Sequence, residues 1–157
     1  MNGDPNTSPA RNFLVIGYGN ELRSDDGVGP KVARAVAELK LPDVDSVACH
    51  QLTPELAEEI SRARSVVFVD AAVDAGPGIQ LGALEPARTG QIMAHAADPQ
   101  TLLALARDLF GKAPEAWSLT IAAENLDFGE ALSPRTQAGL AAALARIQEL
   151  VGRRPGR

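Results

Sequence analysis

Short apolar runs alternate with stretches of helical spacing along nearly the whole chain, and that alternation restricts the fold more than any other feature. Phe13 to Ile16 is continuously apolar and stops at Gly17-Tyr18-Gly19-Asn20. A run without polar alternation suits a strand covered on both faces, as in a parallel sheet. From Val28 the period changes. Val28, Val32, Val36 and Leu39 predict a helix to about Lys40, ended by Leu41-Pro42. Val44 to Cys49 reads as a second strand. Thr53-Pro54-Glu55 reads as an N-cap with proline at the first helical position, opening a short helix towards Arg62. Ser65 to Val69 is a third strand that ends on Asp70, Gly76-Pro77-Gly78 is a turn, and Ile79 to Leu84 is a fourth strand. Asp98-Pro99 opens a helix with Leu102, Leu105, Ala106 and Leu109 on one face and Gly111 closing it. Trp117 to Ala122 is the fifth strand. Ser133-Pro134 caps a long final helix whose Leu140, Leu144, Ile147 and Val151 point inward.

Strands alternating with helices predict an α/β fold: a three-layer α/β/α sandwich with a mostly parallel, twisted five-stranded sheet and helices on both faces. Ligands of such sheets sit beyond the carboxyl ends of the strands, where strand order reverses. With the second strand on one side of the first and the third on the other, the crevice opens between strands one and three. The loops holding Asp26 and Asp70 are then neighbours.

The 157 residues suit one domain rather than two. The expected organisation is a flexible leader over 1–11, a single domain over 12–151 and a flexible tail over 152–157. With 45% apolar and 22% charged residues the chain is globular, and a domain of this size buries roughly 70% of its unfolded surface. A metal would therefore serve chemistry or recognition, not folding. The net charge of −5 argues against a nucleic-acid partner. No apolar run approaches the ~20 residues of a membrane span, so no membrane partner is expected. A single cysteine, Cys49, forms no internal disulfide and points to a reducing compartment; the expectation is a cytoplasmic monomer.

Gly17-Tyr18-Gly19 invites a dinucleotide-binding reading, but Leu22 fills the third glycine position and no phosphate-binding G-x-x-x-x-G-K-[ST] follows. Instead four glycines bracket Asp25 and Asp26. Aspartates at a helix start cap free N–H groups; the division expected is that Asp25 caps or orients while Asp26 faces the cleft. Asp70 either pins the loop after its strand or joins the site. Asp74, before Gly76, is the more structural of the two. Of the two histidines, His50 suits a partly buried, hydrogen-bonded imidazole, while His95 is open between an exposed loop position and a ligand. Two carboxylates and an imidazole suit a borderline divalent ion such as nickel or zinc and leave coordination positions open. Cys49 reads as inert packing, and Ser24 lacks the nucleophile-elbow pattern.

These residues resemble a known family, the hydrogenase maturation endopeptidases. The resemblance lies in G-x-G-N-x-L-x-x-D-[DE]-G-x-G at Gly17 to Gly29 and in Val66-Val67-Phe68-Val69-Asp70-Ala71-Ala72 followed by Gly76-Pro77-Gly78. It continues through His95 ahead of Pro99 and Phe128-Gly129-Glu130-Ala131-Leu132-Ser133-Pro134, spanning about Phe13 to Val151. The family's metal-binding residues map by motif onto Asp26, Asp70 and His95. Some relatives carry glutamate where Asp26 stands. The resemblance implies a nickel-dependent endopeptidase that removes the C-terminal extension of a NiFe-hydrogenase large-subunit precursor after nickel insertion. The Ni2+ is carried by the substrate, and other divalent ions are compatible with the site. Asp26, Asp70 and His95 are then both the catalytic residues and the metal ligands. The alternatives are a metal-dependent hydrolase with a different substrate and a non-catalytic, nickel-dependent assembly factor.

Overall fold

The computed structural model describes residues 11–73, 76, 78–88 and 98–153. Five strands, β1 (Arg11–Tyr18), β2 (Val44–Cys49), β3 (Ala63–Ala72), β4 (Ile79–Leu84) and β5 (Glu115–Ala122), form one sheet in the order β2-β1-β3-β5-β4. All pairs are parallel except β4 with β5, which puts an antiparallel strand on one edge. Among the described residues three α-helices connect strands, α1 (Val28–Leu39), α2 (Leu56–Ser61) and α3 (Pro99–Phe110), and α4 (Pro134–Arg153) follows β5.

The continuous apolar runs have a simple cause. Successive side chains of a strand point to opposite faces, and here both faces are roofed. Phe13, Val15, Val67 and Val69 meet Val28, Val32 and Val36 of α1 and Ala143 and Ile147 of α4. Leu14, Ile16, Val66 and Phe68 meet Ile60 of α2 and Leu102, Leu103 and Ala106 of α3. Each fully buried aliphatic or aromatic side chain stabilises by roughly 1.5–3 kcal/mol relative to exposure, so both layers are needed. The lone tryptophan, Trp117, stacks on Phe13 with ring centroids 6.2 Å apart.

Two local expectations fail. Thr53 does not cap α2: the helix begins at Leu56 after a turn in which Leu56 and Ala57 donate to the Thr53 and Pro54 carbonyls. The proline sits in that turn rather than in the helix. In α3 the inward face is Leu102, Leu103 and Ala106, with Leu109 left 67% exposed. The α3 boundaries hold: Asp98 accepts from the Thr101 N–H, Pro99 opens the helix and Gly111 closes it.

Candidate active site at the strand-order reversal

The sheet order places β1 between β2 and β3, so the loops leaving β1 and β3 face each other at the carboxyl ends of the strands. Gly17 pairs with Val69 in register, which sets Tyr18 beside Asp70. The glycine frame explains how close the start of α1 comes. A β-carbon on Gly17 would lie 1.9 Å from the Gly29 carbonyl oxygen, and one on Gly29 would lie 2.5 Å from the Tyr18 oxygen and 2.6 Å from the Val69 oxygen. The helix is wedged backbone-to-backbone between the two strand ends. These glycines serve protein packing, not a phosphate.

Ser24–Gly27 forms a 3-10 turn ahead of α1 and holds both aspartates. Asp25 is fully buried. Its carboxylate accepts from the backbone N–H groups of Glu124 (3.0 Å), Asn125 (2.9 Å) and Ser133 (2.7 Å) and from the Ser133 hydroxyl (2.8 Å). Burial acts to raise its pKa, but these bonds outweigh it and hold the carboxyl at about 2. Capping of its own helix is not its role, because neither the 3-10 turn nor α1 has a side-chain cap. Asp25 orients: it fastens the β1–α1 loop to the segment between β5 and α4.

Asp26 turns the other way and is half-buried. One carboxylate oxygen accepts from the Asn20 N–H at 2.8 Å, and the other has no hydrogen bond among the described residues. Asp70 is likewise half-buried, with Oδ1 accepting from the Ala71 N–H at 2.7 Å. Desolvation pushes its pKa up, the Ala71 N–H and the Tyr18 hydroxyl pull it back, and the charge of Asp26 pushes it up again. That last effect requires the two carboxylates to share one neighbourhood. Tyr18 is held well above the usual phenol range by burial first, then by Asp70, with smaller contributions from Asp98 and Cys49. The start of α3, where Asp98 stands, therefore also faces the crevice.

The structure thus brings Asp26 and Asp70 together. His95 and Asp74 lie outside the described residues, and among those described no three metal-ligating groups cluster. His50 differs from expectation: it is exposed just past β2, in no hydrogen bond among the described residues, on a groove of about 460 Å³ shared with Leu22, Arg34 and Cys49. Cys49 is half-buried, and burial raises its thiol pKa, which disfavours a nucleophilic thiolate. Tyr18 is the site residue that sequence reasoning missed. Its one signal was an aromatic at the variable position of a glycine pair ending a strand.

Two carboxylates, one raised by burial and further by the other's charge and both with acceptor capacity to spare, suit a divalent cation, which would relieve their repulsion. Oxygen donors alone leave the choice of ion open, and an imidazole would shift it towards nickel or zinc.

No family model matches the chain, and neither does any curated protein. Solved structures do. The hydrogenase 2 maturation peptidase of a Thaumarchaeota archaeon superposes with a TM-score of 0.67 at 25% identity, covering 90% of this chain and 98% of that one. The NiFe hydrogenase maturation protease HybD of Thermococcus kodakarensis gives 0.68 at 24% identity over 88% and 98%. The hydrogenase maturating endopeptidase HybD of E. coli gives 0.70 at 18% identity over 90% and 92%. The chain is similar in fold to the hydrogenase maturation endopeptidases. Near-complete coverage of both chains shows that the fold is shared over most of the length of each.

Proposed function

We propose that this protein is an endopeptidase that removes the C-terminal extension of a NiFe-hydrogenase large-subunit precursor after nickel insertion. The observation that carries the reading is the pairing of Asp26 and Asp70 at the strand-order reversal, in a glycine-framed loop of the maturation-endopeptidase fold. The nickel is part of the substrate. Asp26 and Asp70, with His95 as third ligand, complete its coordination and so distinguish a loaded precursor from an empty one. Substrate-borne nickel supplies Lewis acidity at the scissile carbonyl or an attacking water. Desolvation raises the basicity of Asp70, and it takes the proton of the attacking water. Tyr18 keeps Asp70 facing the crevice through its hydroxyl. Asp26, anchored on the Asn20 N–H, presents its other oxygen to the metal. Its place of work is the cytoplasm, a reading supported by the lack, among the described residues, of a helix long and apolar enough to cross a membrane.

Purified precursor, with and without nickel, tests this. Wild-type protein should release the C-terminal peptide only from the loaded form. Asp26→Asn, Asp70→Asn and His95→Gln should each lower the rate by at least about 100-fold, and His50→Gln should process normally. A triple variant that cleaves at the wild-type rate overturns the site. Binding of loaded precursor without cleavage by wild type makes the protein an assembly factor instead.

A further inference from the structure

The segment between β5 and α4 holds Phe128 at 87% exposure beside the crevice loop. Single exposed apolar side chains are ordinary surface; what marks Phe128 is how firmly its backbone is held. Gly129 donates to the Leu22 carbonyl at 2.8 Å, and Ser24 donates through its N–H to the Gly129 carbonyl at 2.7 Å. The Ser24 hydroxyl donates to the Asp127 carbonyl at 2.7 Å, and Arg23 Nε donates to the Leu126 carbonyl at 3.3 Å. Asp25 anchors Glu124, Asn125 and Ser133 at the two ends of the same segment. The backbone on both sides of Phe128 is thus in place before any partner arrives.

Leu22, 51% exposed, is the backbone partner of Gly129, so two large exposed apolar side chains come from chain segments bonded to each other. Leu22 also lines the groove beside β2 and lies four residues from Asp26. The charge around them is predominantly acidic. Asp127 and Glu130 flank Phe128, exposed and without an ion pair among the described residues, and Glu124 meets Arg135 only at 3.7 Å. Arg23 keeps its positive charge while donating to the neutral Leu126 carbonyl, and it is outnumbered by Asp127, Glu130 and the crevice carboxylates Asp26 and Asp70.

We propose that Leu22 and Phe128 form a docking rim for the precursor, receiving an apolar side chain flanked by lysine or arginine on the segment that enters the crevice. The proposal rests on the endopeptidase reading for the identity of the partner. Apolar contact supplies affinity at a preordered anchor, and the acidic flank supplies attraction that steers and selects. It is tested with full-length protein and nickel-loaded precursor, measuring Kd, KM and kcat. Phe128→Ser combined with Leu22→Ser should raise KM and Kd by about ten-fold or more, with kcat and Tm unchanged. Asp127→Lys with Glu130→Lys should weaken binding at low ionic strength, with the deficit shrinking at about 0.5 M salt. Unchanged KM and Kd in the Phe128/Leu22 variant overturn the rim, as does a fall in kcat alone. If wild type binds without cleaving and the Phe128/Leu22 variant binds less, the rim stands and the endopeptidase reading falls. If wild type neither binds nor cleaves, both fall.

Discussion

Asp25 and Asp26 share a turn and do opposite work. The first is sealed off and takes four hydrogen bonds from residues 99 to 108 positions away; the second takes one from Asn20 and keeps an oxygen free among the described residues. The contrast extends outward from each. On the Asp25 side lie Ser24, Gly129 and Ser133, a region of satisfied polar groups. On the Asp26 side lie Asp70 and Tyr18, where burial and like charge leave a carboxyl strained upward in pKa. One side is built for stability and the other is held against it. Neighbouring residues of the same type acquire these fates because a 3-10 turn sends adjacent side chains in different directions.

The largest effect should come from Gly29→Ala. Its β-carbon would meet three backbone atoms at 2.5–2.9 Å, none of which can yield cheaply. A loss of more than about 4 kcal/mol is expected, seen as failure to fold, while Gly82→Ala, with open space around it, should be near neutral. Next, Asp25→Ala strands three backbone donors and a hydroxyl in a buried place. It should cost about 3–5 kcal/mol and lower Tm by about 10 °C or more, whereas Asp26→Asn should move Tm by less than about 2 °C. Equal losses from the two would erase the distinction between them.

Acid should act through Asp25 as well. Its folded pKa of about 2 lies below the ordinary 3.8, so its contribution is complete above the ordinary value and disappears as pH falls towards 2. Thermal melts across that window should drop more steeply for wild type than for Asp25→Asn. The smallest effect has the opposite sign. Asp70 is raised, so its folded form favours the proton; its contribution is present at low pH and lost as pH rises through the raised value. Asp70→Asn should therefore raise Tm at neutral pH by roughly 1–3 °C while abolishing processing. A fall in Tm would show Asp70 to be a loop pin.

Most of the scaffold was legible because periodicity is local. Val28 to Leu39 and Phe13 to Ile16 announce their layers in single windows, and the Asp98-Pro99 and Gly111 signals marked α3. Leu109 misled because helical spacing reports a face but not how far along the helix that face stays covered. Thr53-Pro54 misled because a turn and a helix start use the same residues. Motif and the reversal rule together lead to the expectation that Asp26 and Asp70 are neighbours at the carboxyl ends of the strands. The role of Asp25 was not legible: its partners lie on the far side of β5 in sequence, and nothing near residue 25 signals them. Tyr18 became visible only through register, since its meeting with Asp70 depends on how β1 and β3 pair.

The wedge of α1 between two strand ends has a bearing on how this protein can change over time. Gly17 and Gly29 touch main-chain oxygens, including the one immediately before Asp70, so the spacing between the crevice carboxylates is gauged by peptide units rather than by core side chains. Valines and leucines beneath the sheet can drift, shrink or be redesigned for heat tolerance while that gauge stays put. Two glycines, and not the interior they border, set the limit on the site's evolution.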